Sequence, residues 1–329
     1  MLMDIIWLLV GLALIVKGGE VFVAAAVRVA EFLKMPRVVI GSTLVSLATT
    51  SPEMVVSVMS GLKGESGLAV GNAVGSCICN IGLILGVTAT LKHVDVHPRA
   101  LRTPLIAMFA CGALLLILTL NLVLTRWQGA LLLALGAGYF AWDFWQHYRN
   151  RQPADIAEAT AIENEVAATR WAWFASKPGT AVQFTVGAVI VVLGSKLLVD
   201  GAVSVAGRLG IPPMIIGLTV LAVGTSLPEL VTAISSSRKS VSDLAVGNVL
   251  GANIANLTLI VGLAAVFHDV KIDRLTQLFN FPALLVVMAL LLWMLLTDRR
   301  VTRREGGTLL VTYGVYITAL VVLTLVASR

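Results

Sequence analysis

Two stretches of the chain combine an acid, a proline and a run of hydroxyls: Thr49-Thr50-Ser51-Pro52-Glu53 and Thr225-Ser226-Leu227-Pro228-Glu229. Each lies inside a long apolar run, with Glu53 ten residues before Lys63 and Glu229 ten residues before Lys239. At a rise of about 1.5 Å per residue, both acids fall about 15 Å from a membrane edge, near the middle of a bilayer. A charge at that depth costs about 2.5–3.5 kcal/mol on insertion scales, so an acid placed there twice points to function. Proline has no N–H and clashes with the carbonyl four residues earlier. Pro52 therefore frees the oxygen of Ala48, and Pro228 that of Gly224, while the neighbouring Thr and Ser add further oxygens. A helix broken in this way is tolerated in a membrane where it lines a cavity or is satisfied by neighbours.

A second pair of stretches follows the first: Gly71-Asn72, Gly75-Ser76 and Asn80, then Gly247-Asn248, Gly251-Ala252 and Asn256. Ser76 and Asn80 are four apart, as are Ala252 and Asn256, so each pair shares a helix face. Glycine at the same spacing lets helices approach closely. Asn80 and Asn256 read as ion contacts beside the glutamates; Asn72, Asn248 and Asn253 read as interhelical glue. Of the other acids, Glu20 follows Lys17 by three residues and Asp200 follows Lys196 by four, spacings that allow pairing on one helix. Asp143, in Trp-Asp-Phe-Trp beside His147 and Arg149, reads as an interface residue at a span end. The donors that gather are hard oxygens, which suit Ca²⁺, a taker of six to eight oxygens, and Na⁺. Cys77, Cys79 and Cys111 lie in apolar segments and no His falls in the core, which argues against zinc or copper and against disulfides.

The elements that must hold these residues are membrane helices. The chain has 329 residues, 58% hydrophobic and 13% charged, with mean hydropathy +0.92. That excludes a soluble globular enzyme, a disordered chain and a disulfide scaffold. Apolar runs predict spans over 4–33, 37–61, 67–91, 102–123 and 127–147, and again over 178–209, 213–237, 243–267, 278–297 and 306–327. Sliding the chain by 176 residues superposes 41–86 on 217–262 with 20 of 46 pairs identical, and matches Gly11, Gly18, Pro36 and Ile40 to Gly187, Gly194, Pro212 and Ile216. Chance likeness between apolar helices would not keep Pro, Glu, Asn and Gly in one register. Five spans per half is odd, so the second half enters from the opposite side. The expected fold is an all-α membrane protein with ten transmembrane helices in two inverted five-helix repeats. Its parts are a first repeat over 1–147, a linker over 148–177 and a second repeat over 178–329.

Loops after the odd-numbered spans hold 15 Lys and Arg, and those after the even-numbered spans hold five. By the positive-inside rule the odd loops, including the linker, are cytoplasmic and both termini lie outside. The net charge of +6 reads as topology and contact with anionic lipid. Aromatics do not interleave with the basic residues, so no nucleic-acid surface is expected. The first apolar run opens on Asp4 rather than a basic segment and has a copy later in the chain, so it reads as part of the mature fold rather than a signal.

The paired Gly-Ser-Thr…Thr-Ser-Pro-Glu and Gly-x-Thr…Thr-Ser-Leu-Pro-Glu blocks, each followed by Gly-Asn and a later Asn, resemble the alpha repeats of the sodium/calcium exchangers of the calcium/cation antiporter superfamily, in their bacterial inner-membrane form. The resemblance implies ten helices in inverted repeats, with ions bound mid-membrane between the second, third, seventh and eighth. It implies that Glu53 and Glu229 are carboxylates shared by Ca²⁺ and Na⁺. Thr49, Thr50, Thr225 and Ser226 match hydroxyl and backbone ligands one turn earlier. Ser46 and Ala222 match positions whose carbonyls bind Na⁺. Ser76 matches a side-chain Na⁺ ligand, and Asn80 a polar residue at the centre. Two positions depart from the pattern: Ala252 has no side-chain oxygen, and Asn256 stands where related exchangers often have Asp, which bears on Na⁺ number and K⁺ dependence. Spans 1 and 6 match the helices that slide past the rest. The implied activity is Na⁺/Ca²⁺ antiport by alternating access at an inner membrane. Ca²⁺ and Na⁺ are the cargo and lipid the surrounding partner, with no cofactor, enzymatic step or obligatory protein partner. The rival readings are an H⁺/Ca²⁺ exchanger and a non-transporting ion sensor or scaffold. An intramembrane protease would need paired catalytic Asp or a Ser/His set within spans, and neither is evident.

Overall fold

The computed structural model describes residues 2–51, 53–54, 66–95, 98–149, 176–208, 222–239, 241–298 and 300–327. Pro52, Lys63, most of the expected linker and the start of the span expected at 213–237 lie outside the described residues.

The chain is a bundle of helices. In the first half these are α1 (Leu2–Leu33), α2 (Arg37–Ile40), α3 (Ser46–Thr49), α4 (Ser66–Cys79), α5 (Gly86–Leu91), α6 (Pro98–Leu118) and α7 (Arg126–Arg149). In the second half they are α8 (Lys177–Arg208), α9 (Ala222–Thr225), α10 (Leu227–Arg238), α11 (Ser242–Ala255), α12 (Val261–Phe267), α13 (Phe281–Asp298) and α14 (Arg303–Ala327). Seven helices among the described residues are long and apolar enough to cross a membrane. Of the other expected spans, α7 has the length, 24 residues, but carries Arg126, Asp143, His147 and Arg149 along it. The two that hold the acid–proline blocks are described only in part, Arg37–Thr49 being the shorter apolar helix of the first.

Burial runs opposite to that of a water-soluble bundle. Leu9, Leu131, Trp142, Val189, Leu193, Val311, Val315 and Val322 are exposed on the outer helices, while Ser46, Thr49, Glu53, Asn80, Glu229, Asn248 and Asn256 are buried. Apolar side chains on the outside and polar ones inside is the arrangement a lipid solvent selects.

The two halves repeat each other in detail. Short capping boxes open α7 and α14: Gln128 and Glu305 accept from the backbone N–H of Thr125 and Thr302, and the Thr hydroxyls accept from Gln128 and Glu305 N–H in return. α5 packs on α14, and α12 packs on α7. Two small antiparallel ribbons join the halves, β1 (Val94–Asp95) with β4 (Arg300–Val301), and β2 (Val123–Leu124) with β3 (Val270–Lys271). Val94 and Asp95 stand 176 residues before Val270 and Lys271, so each ribbon is the counterpart of the other with the halves exchanged. The loops that pair are also those expected on one membrane side, after spans 3 and 9 and after spans 4 and 8.

α1 and α8 lie along one another as a separate layer. Their contact is made by the glycines of the repeat. A Cβ on Gly187 would stand 2.9 Å from the Phe22 backbone, and one on Gly194 would stand 3.0 Å from the Gly11 carbonyl. Lys17 pairs with Glu20 on α1 at 3.1 Å, as their spacing suggests. No such ion pair forms between Lys196 and Asp200 among the described residues. Both side chains point outward, where a solvated pair would gain little.

Candidate functional site

The inner layer is built around α2, α3, α4, α10 and α11. The helix through the first block breaks at Thr50 (φ −80°, ψ 5°), and the helix through the second breaks at Ser226 (φ −90°, ψ 10°), 176 residues later. The chain resumes identically after each break, with Met54 N–H donating to Thr50 O and Leu230 N–H to Ser226 O. Pro228 lies in the first turn of α10, where its missing N–H costs nothing. In the first half the carbonyl of Ala48, the one a proline at 52 releases, accepts from the Ser51 hydroxyl at 2.8 Å. Ser51 thus resatisfies its own backbone.

Both glutamates are fully buried. Each is approached from the other repeat. The Ser226 hydroxyl stands 3.5 Å from Glu53 Oε1, and the Thr49 hydroxyl comes within polar reach of the Glu229 carboxyl. Neither Glu229 oxygen has a hydrogen bond of good geometry among the described residues. Thr49 also donates to Asn248 Oδ1 at 3.1 Å, tying α3 to α11. The Ser46 carbonyl accepts from the Thr50 N–H at 2.9 Å and from the Thr50 hydroxyl at 2.7 Å, and the Ser46 hydroxyl donates to Ser42 O and Thr43 O. Thr225 and Ala222 end and begin α9, immediately before Ser226.

Ser76 and Asn80 lie on the α4 side and are fully buried. Among the described residues Ser76 Oγ and Asn80 Oδ1 have no hydrogen-bond partner, while Asn80 Nδ2 donates to Asn253 Oδ1 at 3.0 Å. Asn256 is fully buried, and neither amide atom has a hydrogen-bond partner among the described residues. Asn248 and Asn253 bridge helices, as glue residues should. An unpartnered polar group in an apolar interior costs several kcal/mol, so open oxygens buried in the same bundle as the two acids describe a place for a cation or ordered water.

Two features were not legible in the sequence. A π turn begins at Asn80 (Asn80–Leu85) and another at its counterpart Asn256 (Asn256–Ile260); a third, Gly41–Val45, precedes the first acid block, and a fourth, Thr276–Asn280, leads into α13. Such turns widen the helix by one residue per turn and gather at functional sites. No residue propensity marks them, though the recurrence of Asn at one repeat position flagged the place. The second feature is how closely α11 presses on this first block. A Cβ on Gly247 would collide with the Val38 carbonyl, and one on Gly251 with the Ser42 carbonyl. Asp143, expected at an interface, is instead fully buried against the π turn at Gly41–Val45, because α7 turns that face inward.

A sequence model of the family described as sodium/calcium exchanger protein matches residues 3–145 and 179–322. The chain belongs to the sodium/calcium exchanger family. It is 30% identical over 345 residues to the sodium/calcium exchanger MaX1 of Methanosarcina acetivorans, covering 95% of this chain and 97% of that one. It is 34% identical over 299 residues to the inner membrane protein YrbG of Escherichia coli, covering 89% and 90%. The fold superposes on the sodium-calcium exchanger NCX_Mj, solved without Na⁺ and Ca²⁺, with TM-score 0.80 at 26% identity over 97% of this chain and 99% of that one. Members of this family are secondary transporters, not enzymes, and exchange cations across membranes. This chain is accordingly a multi-pass membrane protein.

Proposed function

We propose that the chain exchanges Na⁺ for Ca²⁺ by alternating access, at a site shared by Glu53 and Glu229. The observation that carries this reading is the pair of fully buried carboxylates, one from each repeat, each met by a hydroxyl of the other. Removing two ionised carboxylates from water costs several kcal/mol each, which bound cations can offset. Their charge balances one Ca²⁺ or two Na⁺. Thr49, Thr50, Thr225, Ser226, Ser76, Asn80 and Asn256, with the carbonyls of Ser46 and Ala222, complete an oxygen set that suits both ions. Because the sets overlap, filling one empties the other. Only a filled, neutralised site crosses the apolar barrier cheaply. The glycine-lined contact between α1 and α8 supports these two helices as the layer that slides.

The same reading takes the architecture as ten helices in two inverted repeats, 1–147 and 178–329, joined by a cytoplasmic linker over 148–177. The exchanged ribbons and the 15-to-5 charge asymmetry support it. We place the protein in a bacterial inner membrane with both termini outside. The test is Ca²⁺ flux in proteoliposomes under separate Na⁺ and pH gradients. An outward Na⁺ gradient drives Ca²⁺ uptake, and Na⁺ inhibits Ca²⁺ binding steeply, with more than one Na⁺ per Ca²⁺ displaced. Flux that ignores Na⁺ and follows pH would replace the assignment with H⁺/Ca²⁺ exchange. Binding without flux under either gradient would make the chain a sensor.

A further inference from the structure

We propose that Asp143 and His147 form a proton-binding site, separate from the ion site, whose occupancy sets the exchange rate. Asp143 lies on α7 with its side chain 1% exposed, and neither carboxylate oxygen has a hydrogen bond among the described residues. One turn later His147 is 25% exposed, with Nδ1 3.5 Å from Asp143 Oδ1 and 2.8 Å from the Asp143 carbonyl. One turn earlier the buried Tyr139 hydroxyl also has no hydrogen-bond partner among the described residues. Tyr139, Asp143 and His147, four residues apart in turn, thus form one ladder along a helix face, from the interior to the rim.

Among the described residues, the groups that face this ladder from other elements are few. From Arg37–Val45 come the Ser42 hydroxyl, within polar reach of Asp143, and Arg37, which has interactions of its own. The segment 256–267, also packed on α7, brings no titratable side chain. Cys111 approaches Tyr139 rather than Asp143. One carboxylate, one phenol and one imidazole make a poor cage for Na⁺ or Ca²⁺, which need a shell of oxygens. They suit a proton. A proton arriving at His147 Nε2 lets the Nδ1 proton pass to Asp143 Oδ1 and leaves the imidazole neutral, so the half-exposed ring serves the buried acid.

The occupied and empty forms differ by one charge beside Ser42. That residue lies in the π turn Gly41–Val45, its carbonyl accepts from the Ser46 hydroxyl, and it abuts Gly251. The charge therefore acts on the segment that carries Ser46, Thr49 and Thr50 toward the ions, through packed backbone with no slack.

The experiment pairs infrared difference spectra of the purified exchanger with flux at fixed Na⁺ and Ca²⁺ gradients. On acidification a protonated-carboxyl band grows in and is absent in Asp143→Asn. Over about pH 5.5–8, wild-type flux changes at least about threefold, whereas the flux of Asp143→Asn, which mimics the protonated acid, is flat. His147→Gln keeps the band but slows its appearance after a pH jump, a readout that remains if the Asn variant does not fold. A band that persists in Asp143→Asn, a wild-type pH profile in both variants, or a lower Na⁺ stoichiometry in Asp143→Asn would each overturn the proposal, the last in favour of a cation site.

Discussion

Asn80 and Asn256 occupy the same place in the two repeats and begin the same π turn, yet their amides meet different neighbours. Asn80 donates to Asn253 at 3.0 Å. The counterpart of Asn253 in the first half is Cys77, whose thiol donates to the Asn253 carbonyl at 3.6 Å and offers nothing to Asn256. Asn256 is left with both polar atoms open. The pattern recurs at the next position on the same faces, where Ser76 carries an open hydroxyl and Ala252 carries none. Duplication thus supplied two copies of one scaffold, and single substitutions divided the work. The Asn80 amide ties the α4 side to α11 through Asn253, whereas the Asn256 amide makes no such bond among the described residues.

The largest effects should come from the residues in which the halves do not differ. Glu53→Gln and Glu229→Gln keep the volume but each removes half the negative charge that balances Ca²⁺. Breaking a buried charge pairing costs about 3–5 kcal/mol, so Ca²⁺ flux in vesicles should fall at least about 100-fold in either variant. Equal losses support a site shared between the repeats. Near-normal flux in one variant would confine the site to the other half.

Next in size is Gly251→Ala. Its new Cβ would meet the Ser42 carbonyl, which is backbone and cannot swing away. Overpacking of this kind costs about 1–3 kcal/mol, so the melting temperature in detergent should drop. If it stays at the wild-type value, α11 and the π turn at Gly41–Val45 are less tightly apposed than their geometry implies.

What could be read from the sequence follows from which interactions are local. The helix breaks at Thr50 and Ser226 were legible because a proline and its neighbouring hydroxyls act within one turn. The two buried glutamates were legible because charge in a membrane has a high, context-free cost. The partner of each Asn was not, since it lies across the bundle; the difference between Cys77 and Asn253 was visible in the repeat, but only packing gives it meaning. Asp143 misled for the same reason. Its neighbours along the chain, His147 and Arg149, suggest a membrane rim, and only the rotation of α7 turns the carboxylate inward. The π turns had no local signal, because one extra residue per turn changes no side-chain preference.

Cys77→Asn tests the division of work directly. An amide there would regain the bond that Asn80 makes with Asn253 and tie up Asn256. A hydrogen bond of this kind is worth about 0.5–1.5 kcal/mol, so ion affinity should fall about two- to tenfold while thermal stability rises. Binding titrations and melting curves on one preparation separate the two effects. Lower stability with unchanged affinity would mean that Asn256 never served the ions.

The smallest expected effect is also the one most specific to Na⁺. Ala252 is fully buried, four residues before Asn256 and on its face. Ala252→Ser adds one oxygen where the first half has Ser76. The hydroxyl costs little when unused, because a helical Ser can bond the carbonyl four residues earlier, here Asn248. When Na⁺ is present it supplies a neutral donor, which a monovalent ion exploits as readily as a divalent one. Ca²⁺ draws most of its affinity from the two carboxylates and gains less. The variant should therefore shift Na⁺ inhibition of Ca²⁺ binding to about two- to fivefold lower Na⁺ and steepen it, a gain of the size expected for one hydrogen-bond-strength contact. Ser76→Ala should move the midpoint the other way by a similar factor. If Ala252→Ser instead strengthens Ca²⁺ binding and leaves the Na⁺ midpoint in place, the open hydroxyl of Ser76 belongs to the divalent ion, and the two halves divide the ions differently from the way their open oxygens suggest.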